Sequence, residues 1–357
     1  MCATVYTTRW SFLRPRLRWA LSRAAFYLSL WLAGITIDFV IPHLLPHNVL
    51  YTLIYSKLVS YGASAGMVLE YIRELEAQFG PLIRQYSEPL YVQYLQFLKD
   101  VFTLNFGVSL MYYPFKAGSI IAQGVPWTAV IVYPALALSF VVGNVLGRAA
   151  ALSRGTAKDY AIVAGLMFLY TMPVFVVGEV LITIFAIHYR IFPMENPYNE
   201  HRFLKPTLSL PFVASVLHHA ALPVITLTLF SLAGWALGMR NNMIPILQED
   251  FMNYYRAMGV PERVVASRAY RVALLPNFTG FAVSLGYSVL GAIAIEGLFN
   301  YAGLGYYYGQ ALGGMDYPLL NGILVMLVTM MVFSNFIAEL IYGILDPRTS
   351  KAEVEGL

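Results

Sequence analysis

The chain has 357 residues, of which 59% are hydrophobic and 12% charged, against about half and about a quarter in soluble domains, so an ordinary soluble domain is excluded. The formal net charge of +4 is small, and its arginines sit beside apolar blocks rather than on one basic face, which excludes a nucleic-acid binder. The single cysteine, Cys2, excludes an internal disulfide and a cysteine metal cluster.

The apolar residues come in blocks of about 20 or more, the length a helix needs to cross about 30 Å of hydrocarbon. Without water to satisfy the backbone, such blocks must be helical. The expectation is an all-α polytopic membrane protein of the cell (plasma) membrane, with six transmembrane helices and both termini cytoplasmic.

Arg9, Arg14, Arg16, Arg18 and Arg23 precede or open the first block, about Ala20 to Pro42. It is too long for a secretory signal and lacks a clear cleavage site, so residues 1–42 are read as a cytoplasmic N terminus and a retained first span. Residues 43–124 form an external excursion of mixed charge, with helices expected at Met67–Phe79, ended by Gly80-Pro81, and at Leu90–Val101. The second span is placed at Val125–Leu146 and the third at Tyr160–His188, bent at Pro173. Between them, Arg148, Arg154 and Lys158 mark a cytoplasmic loop. Ala220–Met239, Asn277–Phe299 and Pro318–Leu345 are spans four to six, with external loops at Tyr189–His219 and Asn300–Tyr317. Residues 125–345 thus form the membrane core, with a cytoplasmic segment at 241–276, and 346–357 a cytoplasmic tail.

That segment carries the strongest pattern. Ile244, Leu247, Phe251, Tyr255 and Met258 make one apolar stripe at helical spacing. Gly259 is a natural helix stop, and Pro261 opens a second helix at its first turn, with Glu262 at the positive end of its dipole. The second helix is expected to end at Leu275-Pro276. Periodicity alone fits equally a helix pair lying on lipid headgroups and a knob offered to a partner. A side chain at position 259 is expected to block the reversal between the helices.

The run EDFMNYYRAMGVPERVVASRAYRVALLPN (249–277) resembles the "EAA loop" of type I ABC importer permeases, in particular the oligopeptide/dipeptide branch, where the segment also closes on Leu-Leu-Pro. YSEPLYVQYLQFL (86–98), NFGVSL (105–110), VPWTAVIVYPALALSFVVGNVLG (125–147), MPVFVVG (172–178), LPVITLTL (222–229), EGLFNYAGLG (296–305) and LDPR (345–348) resemble landmarks of that family in the same order. Asn253-Tyr254-Tyr255 stands where the name-giving Glu-Ala-Ala falls. The resemblance implies a type I importer permease fold with a helical external excursion between spans 1 and 2. It implies that Tyr254, Tyr255, Arg256, Ala257, Met258, Gly259 and Val260 dock into a cytoplasmic ATPase subunit. It further implies one or two such ATPase subunits, a second homologous permease, an external solute-binding protein and surrounding membrane lipid as partners, with di- or oligopeptides as cargo and oligosaccharides as the alternative.

A charge inside a span is costly and marks a candidate site. Glu179 lies mid-span, where the resembled family is usually apolar, and is a candidate for the translocation pathway. Glu296, beside the external loop, is read both as a pathway residue and as a brace for that loop. Tyr306 is a candidate for stacking at a gate or for anchoring at the interface. Asp38 is placed near the outer interface, and Glu339 is expected to pair with a basic residue. His43 and His47, four apart, lack a third ligand, so no metal site is expected. There is no phosphate-cradling G-x-x-x-x-G-K-[ST] run, so the chain is not expected to be an enzyme and ATP and magnesium belong to partner subunits. A polytopic membrane enzyme using Glu179, or a membrane anchor for a cytoplasmic partner, are the competing readings.

Overall fold

The computed structural model describes residues 4–44, 89–314 and 316–345. The expected helix at Met67–Phe79, His47 and the tail from Asp346 lie outside the described residues, as do the side chains of His43 and of Arg9 to Arg18. The elements are α1 (Thr4–Leu44), α2 (Leu90–Thr103), α3 (Ala117–Leu152), α4 (Ala157–Thr171), α5 (Val174–Leu181), continued by a π-helical stretch Ile182–His188, then α6 (Leu210–Leu247), α7 (Asp250–Ala257), α8 (Glu262–Leu298), α9 (Leu304–Gly314) and α10 (Tyr317–Leu345).

Among the described residues, four helices are long and apolar enough to cross a membrane: Trp19–Val40 within α1, all of α3, all of α6, and Tyr317–Leu340 within α10. The bent pairs α4–α5 and the two parts of α8 bring the number to six, as expected. The third span departs from a simple bend. Its two halves meet at 101°. Pro173 has no N–H to donate and drives Met172 into an extended conformation (φ −79°, ψ 129°), so α4 stops and Pro173 starts a new helix.

Two other boundaries differ because nothing in the sequence stops a helix at the lipid surface. α3 begins eight residues before Val125, and α6 begins at Leu210, in what was expected to be external loop. The helix expected to end at Pro276 runs on as α8 to Leu298, with Pro276 inside it. Asn242 of α6 reaches the Ala273 carbonyl at 3.5 Å, next to the Val272 carbonyl that the missing proline N–H leaves without its helical donor. The external loop expected at Asn300–Tyr317 holds a helix of its own, α9.

Between lipid-soluble helices the packing must come from close approach and polar contacts rather than from escape of apolar surface from water. α3 and α6 meet over Gly143 and Gly147. A Cβ on Gly147 would lie 2.2 Å from the Ala236 carbonyl oxygen and 2.7 Å from Met239 Cβ, and one on Gly143 would lie 2.7 Å from Trp235 Cβ. Asn277 then joins three helices: its amide donates to Asn144 Oδ1 of α3 at 2.8 Å and to the Trp235 carbonyl of α6 at 3.0 Å, and it accepts from Asn242 at 3.1 Å. α1 is held to α10 by Trp31 Nε1 donating to Thr329 Oγ1 at 2.8 Å and by an Arg23–Glu339 ion pair at 2.9 Å. Arg23 is the basic partner expected for Glu339.

Candidate functional site

The segment 248–262 folds as an elbow. α6 ends at Leu247, and after Gln248-Glu249 the eight-residue α7 runs to Ala257. Gly259 then takes φ +72°. Its N–H donates to the Arg256 carbonyl at 2.9 Å, and the Val260 N–H donates to the Tyr255 carbonyl at 3.1 Å. This is the Schellman ending of a helix, which needs a residue at positive φ that only glycine adopts without strain. Tyr255 and Val260 also pack against the same buried cluster, the apolar contact that usually accompanies the motif. Pro261 precedes α8 as its cap residue, one position earlier than expected, and Glu262 is the first helical residue.

One expectation about Gly259 is overturned. A Cβ there would meet nothing within 4 Å, so the reversal does not depend on space between the helices. It depends on the backbone conformation.

The inner side of the elbow is apolar and closed. Met252 is fully buried with Met239 and Met243 of α6, Val265, Ala269 and Ala273 of α8, and Ala151 at the end of α3. Methionines fill the irregular space left by the small residues opposite. The outer side is open: Tyr254 is 63% and Met258 60% exposed, with Phe251 and Val264 also exposed. These apolar side chains stand outside this chain's core, on a support that is buried.

Arg256 braces the elbow instead of pointing away from it. Its guanidinium donates to both carboxylate oxygens of Glu262 at 3.2 Å, to the Leu247 carbonyl at 3.1 Å and to Asn253 Oδ1 at 3.0 Å. It therefore touches the end of α6, the middle of α7 and the start of α8. Behind the elbow, Arg240 of α6 makes a two-armed pair with Asp159 of α4, both distances 2.8 Å. Asp159 is buried and also accepts the Gly155 N–H at 3.1 Å. Arg148 lies over the Tyr270 ring at 5.2 Å. The elbow, the turn between α3 and α4, and the foot of α8 are thus one connected unit.

At the other end of α8, Glu296 is fully buried. Its Oε2 accepts the N–H of Gly305 at 2.6 Å and of Tyr306 at 3.3 Å, while the Thr128 hydroxyl of α3 accepts the Leu304 N–H at 2.8 Å. These are the unpaired donors of the first turn of α9, so Glu296 and Thr128 cap that helix. A Cβ on Gly303 would lie 2.4 Å from the Glu296 carboxylate. Of the two readings for Glu296, bracing the loop fits. A pathway-lining role does not, because the side chain is covered on all sides. Tyr301 is also fully buried, and its burial, with the Glu296 charge adding, pushes its phenol well above the usual range.

Glu179 sits on α5 with its side chain exposed, and that side chain makes no hydrogen bond or ion pair among the described residues. Tyr306 is partly buried, edge-on to Tyr307 at 5.4 Å. The structure does not bring Glu179, Glu296 and Tyr306 together as one constellation: Glu296 and Tyr306 meet through the α9 cap, and Glu179 stands apart. Asp38 is buried in α1 rather than hydrated.

Two structural acids were not singled out from sequence. Asp159 carried no local signal, since its partner is 81 residues away. Asp316 did carry one: an aspartate just before Tyr-Pro and an apolar run is a helix cap. It accepts the Leu319 N–H at 3.2 Å at the head of α10, and also holds the Ser109 hydroxyl and the Met111 N–H.

Residues 143–351 match the family of binding-protein-dependent transport system inner membrane components. The chain is 30% identical over 263 residues to a probable peptide ABC transporter permease protein, y4tP, of Sinorhizobium fredii, covering 73% of this chain and 81% of that one. It is 28% identical over 263 residues to the dipeptide transport system permease protein DppB of Bacillus subtilis (73% and 80%). It is 28% identical over 280 residues to the oligopeptide transport system permease protein OppB of Haemophilus influenzae (78% and 85%). The matched stretch contains the elbow, Asp159 and Arg240, Glu296 of the α9 cap and all of α10, in a multi-pass helical chain. The chain therefore belongs to the binding-protein-dependent transport family of inner membrane permease components, as a multi-pass protein of the plasma membrane and a transport rather than a catalytic subunit.

Proposed function

We propose that this chain is one half of the pathway of an ATP-driven importer of di- or oligopeptides, and that its α7–α8 elbow is the contact through which ATP hydrolysis on partner subunits drives the pathway. The observation that carries this is the elbow itself: an exposed apolar knob, Tyr254 to Val260, on a buried methionine-rich base and braced by Arg256. The relatives named for dipeptide and oligopeptide transport support peptide cargo over oligosaccharide.

In this reading a second, related permease completes the cavity, an external binding protein delivers the peptide, and one or two cytoplasmic ATPase subunits hold ATP and magnesium. Closure of the ATPase subunits moves the elbow. α8 joins the elbow at Glu262 to Glu296 and the α9 cap through two parts that meet at 61°, so displacement at its foot is carried to the cap. Coupling requires the ATPase to favour one state of the permease over the other. Glu179, exposed and with its side chain unpaired among the described residues, lines the cavity.

A cysteine at Met258 in the co-expressed importer tests the docking. It should cross-link to an ATPase chain, and a cysteine at Leu204, at the opposite end of α6, should not. Co-purification of an ATPase without peptide uptake would instead indicate a membrane anchor.

A further inference from the structure

We propose that the basic, leucine-rich edge at residues 199–219 is a binding site for the phosphate headgroup of an anionic phospholipid. The loop before α6 and the first turns of that helix enclose a cleft of about 350 Å3, lined by Asn199, Arg202, Ser215, His218 and His219 among others. The cleft is built, not incidental. The Asn199 N–H donates to Ser215 Oγ at 3.0 Å, and Asn199 Oδ1 accepts the Arg202 N–H at 3.1 Å, which pins the loop to the helix. His218 Nε2 donates to the Ile191 carbonyl at 2.9 Å and His219 Nδ1 to the Ser215 carbonyl at 2.8 Å, so both rings are fixed in orientation.

The two bases of this edge make no direct ion pair with its acids among the described residues. The Arg202 guanidinium lies near the Phe203 ring, 5.4 Å from its centroid, and forms no ion pair among the described residues; nor does Lys205. The neighbouring acids Glu195 and Glu200 do not reach either. A planar guanidinium with open donors suits a phosphate, to which it can present two parallel N–H groups.

The same edge exposes large apolar side chains to a degree a water-facing loop does not need. Leu204 is 94%, Leu208 101% and Leu210 83% exposed. From Leu210 the exposed stripe continues along α6 through Val213 and Leu217, at the spacing of one helical face. The leucines are therefore continuous with an exposed apolar side of a candidate membrane span. Basic residues beside apolar ones at the end of a span match the two layers of a bilayer interface, headgroup and acyl chain. That continuity selects a lipid over a free anion or a soluble protein as the occupant.

The test is native mass spectrometry of the full chain, purified in detergent and delipidated, then titrated with dioleoylphosphatidylglycerol, dioleoylphosphatidylcholine or inorganic phosphate. The wild-type chain should bind one phosphatidylglycerol more tightly than the Arg202→Glu/Lys205→Glu variant by roughly tenfold or more, as expected for two basic residues at an anionic surface. A Leu204→Ser/Leu208→Ser variant should weaken the same site without altering charge. Phosphatidylcholine should show a smaller difference, and millimolar inorganic phosphate should not displace the lipid. Equal phosphatidylglycerol binding by all three proteins would overturn the proposal and leave the edge to a protein partner. Displacement by phosphate would overturn the lipid as the ligand. All substituted residues are exposed, so unchanged circular dichroism is expected and separates these outcomes from misfolding. None of them bears on the elbow.

Discussion

The carboxylate of Glu296 accepts the backbone N–H of Gly305 at 2.6 Å, so the last turns of α8 carry the cap of the helix that follows. The cap leaves no room: Gly303 and Gly305 both lie too close to α8 for a side chain. Glu296→Ala would strip the first turn of α9 of its acceptor in a buried place. A loss of about 1–3 kcal/mol is expected from the unsatisfied donors. Glu296→Gln keeps an oxygen within reach of Gly305 and should cost less. Thermal unfolding of the purified chain checks the order: wild type most stable, then Gln, then Ala. Equal stability of Gln and Ala variants would contradict the cap.

Arg240 and Asp159 tie the turn after α3 to α6 just behind the elbow. Removing one partner leaves a buried charge without its counter-ion, which is worse than removing both. Asp159→Ala and Arg240→Ala should each lower the unfolding temperature, and the double variant should lose less than the sum of the two. A double-mutant cycle reads this directly, and additive losses would show the two residues act separately.

The α3–α6 contact rests on glycine. Gly147→Val places atoms where the Ala236 carbonyl and Met239 already are, so the two helices must separate. A cost of about 1–3 kcal/mol or more is expected. Gly165→Val on α4 is the control, because a Cβ there meets nothing within 4 Å. Folded yield by size-exclusion chromatography should fall for the first variant and hold for the second.

What the sequence made legible was local. The glycine turn at Gly259, a bend at Pro173 though not the full break, and the apolar length of the spans each follow from a residue's own backbone limits or from composition. The ordered landmarks then identified the family. What escaped depended on residues far apart in the chain. Nothing near Asp159 names Arg240 as its partner, and nothing near Asn277 shows that it bonds to Asn144 and Asn242 on two other helices. The dual reading of Glu296 was undecidable for the same reason, since Thr128 and the α9 amides had first to be brought beside it. Helix lengths escaped too: α3, α6 and α8 run past the apolar blocks because helix continuity is governed by caps and breaks, not by where lipid ends.

The coupling role of the elbow is tested most directly by Gly259→Asp in the assembled importer. Aspartate tolerates positive φ better than most residues, and the Cβ meets open space, so the fold and the complex should survive. What changes is the exposed knob, which gains a charge between Met258 and Val260. Gly259→Asn supplies the neutral control. The measurement is peptide uptake together with substrate-stimulated ATP hydrolysis, in complexes of equal subunit content. Expected is a large loss of both for Asp and a small loss for Asn. Normal uptake and hydrolysis by the Asp variant would contradict the elbow as the ATPase contact.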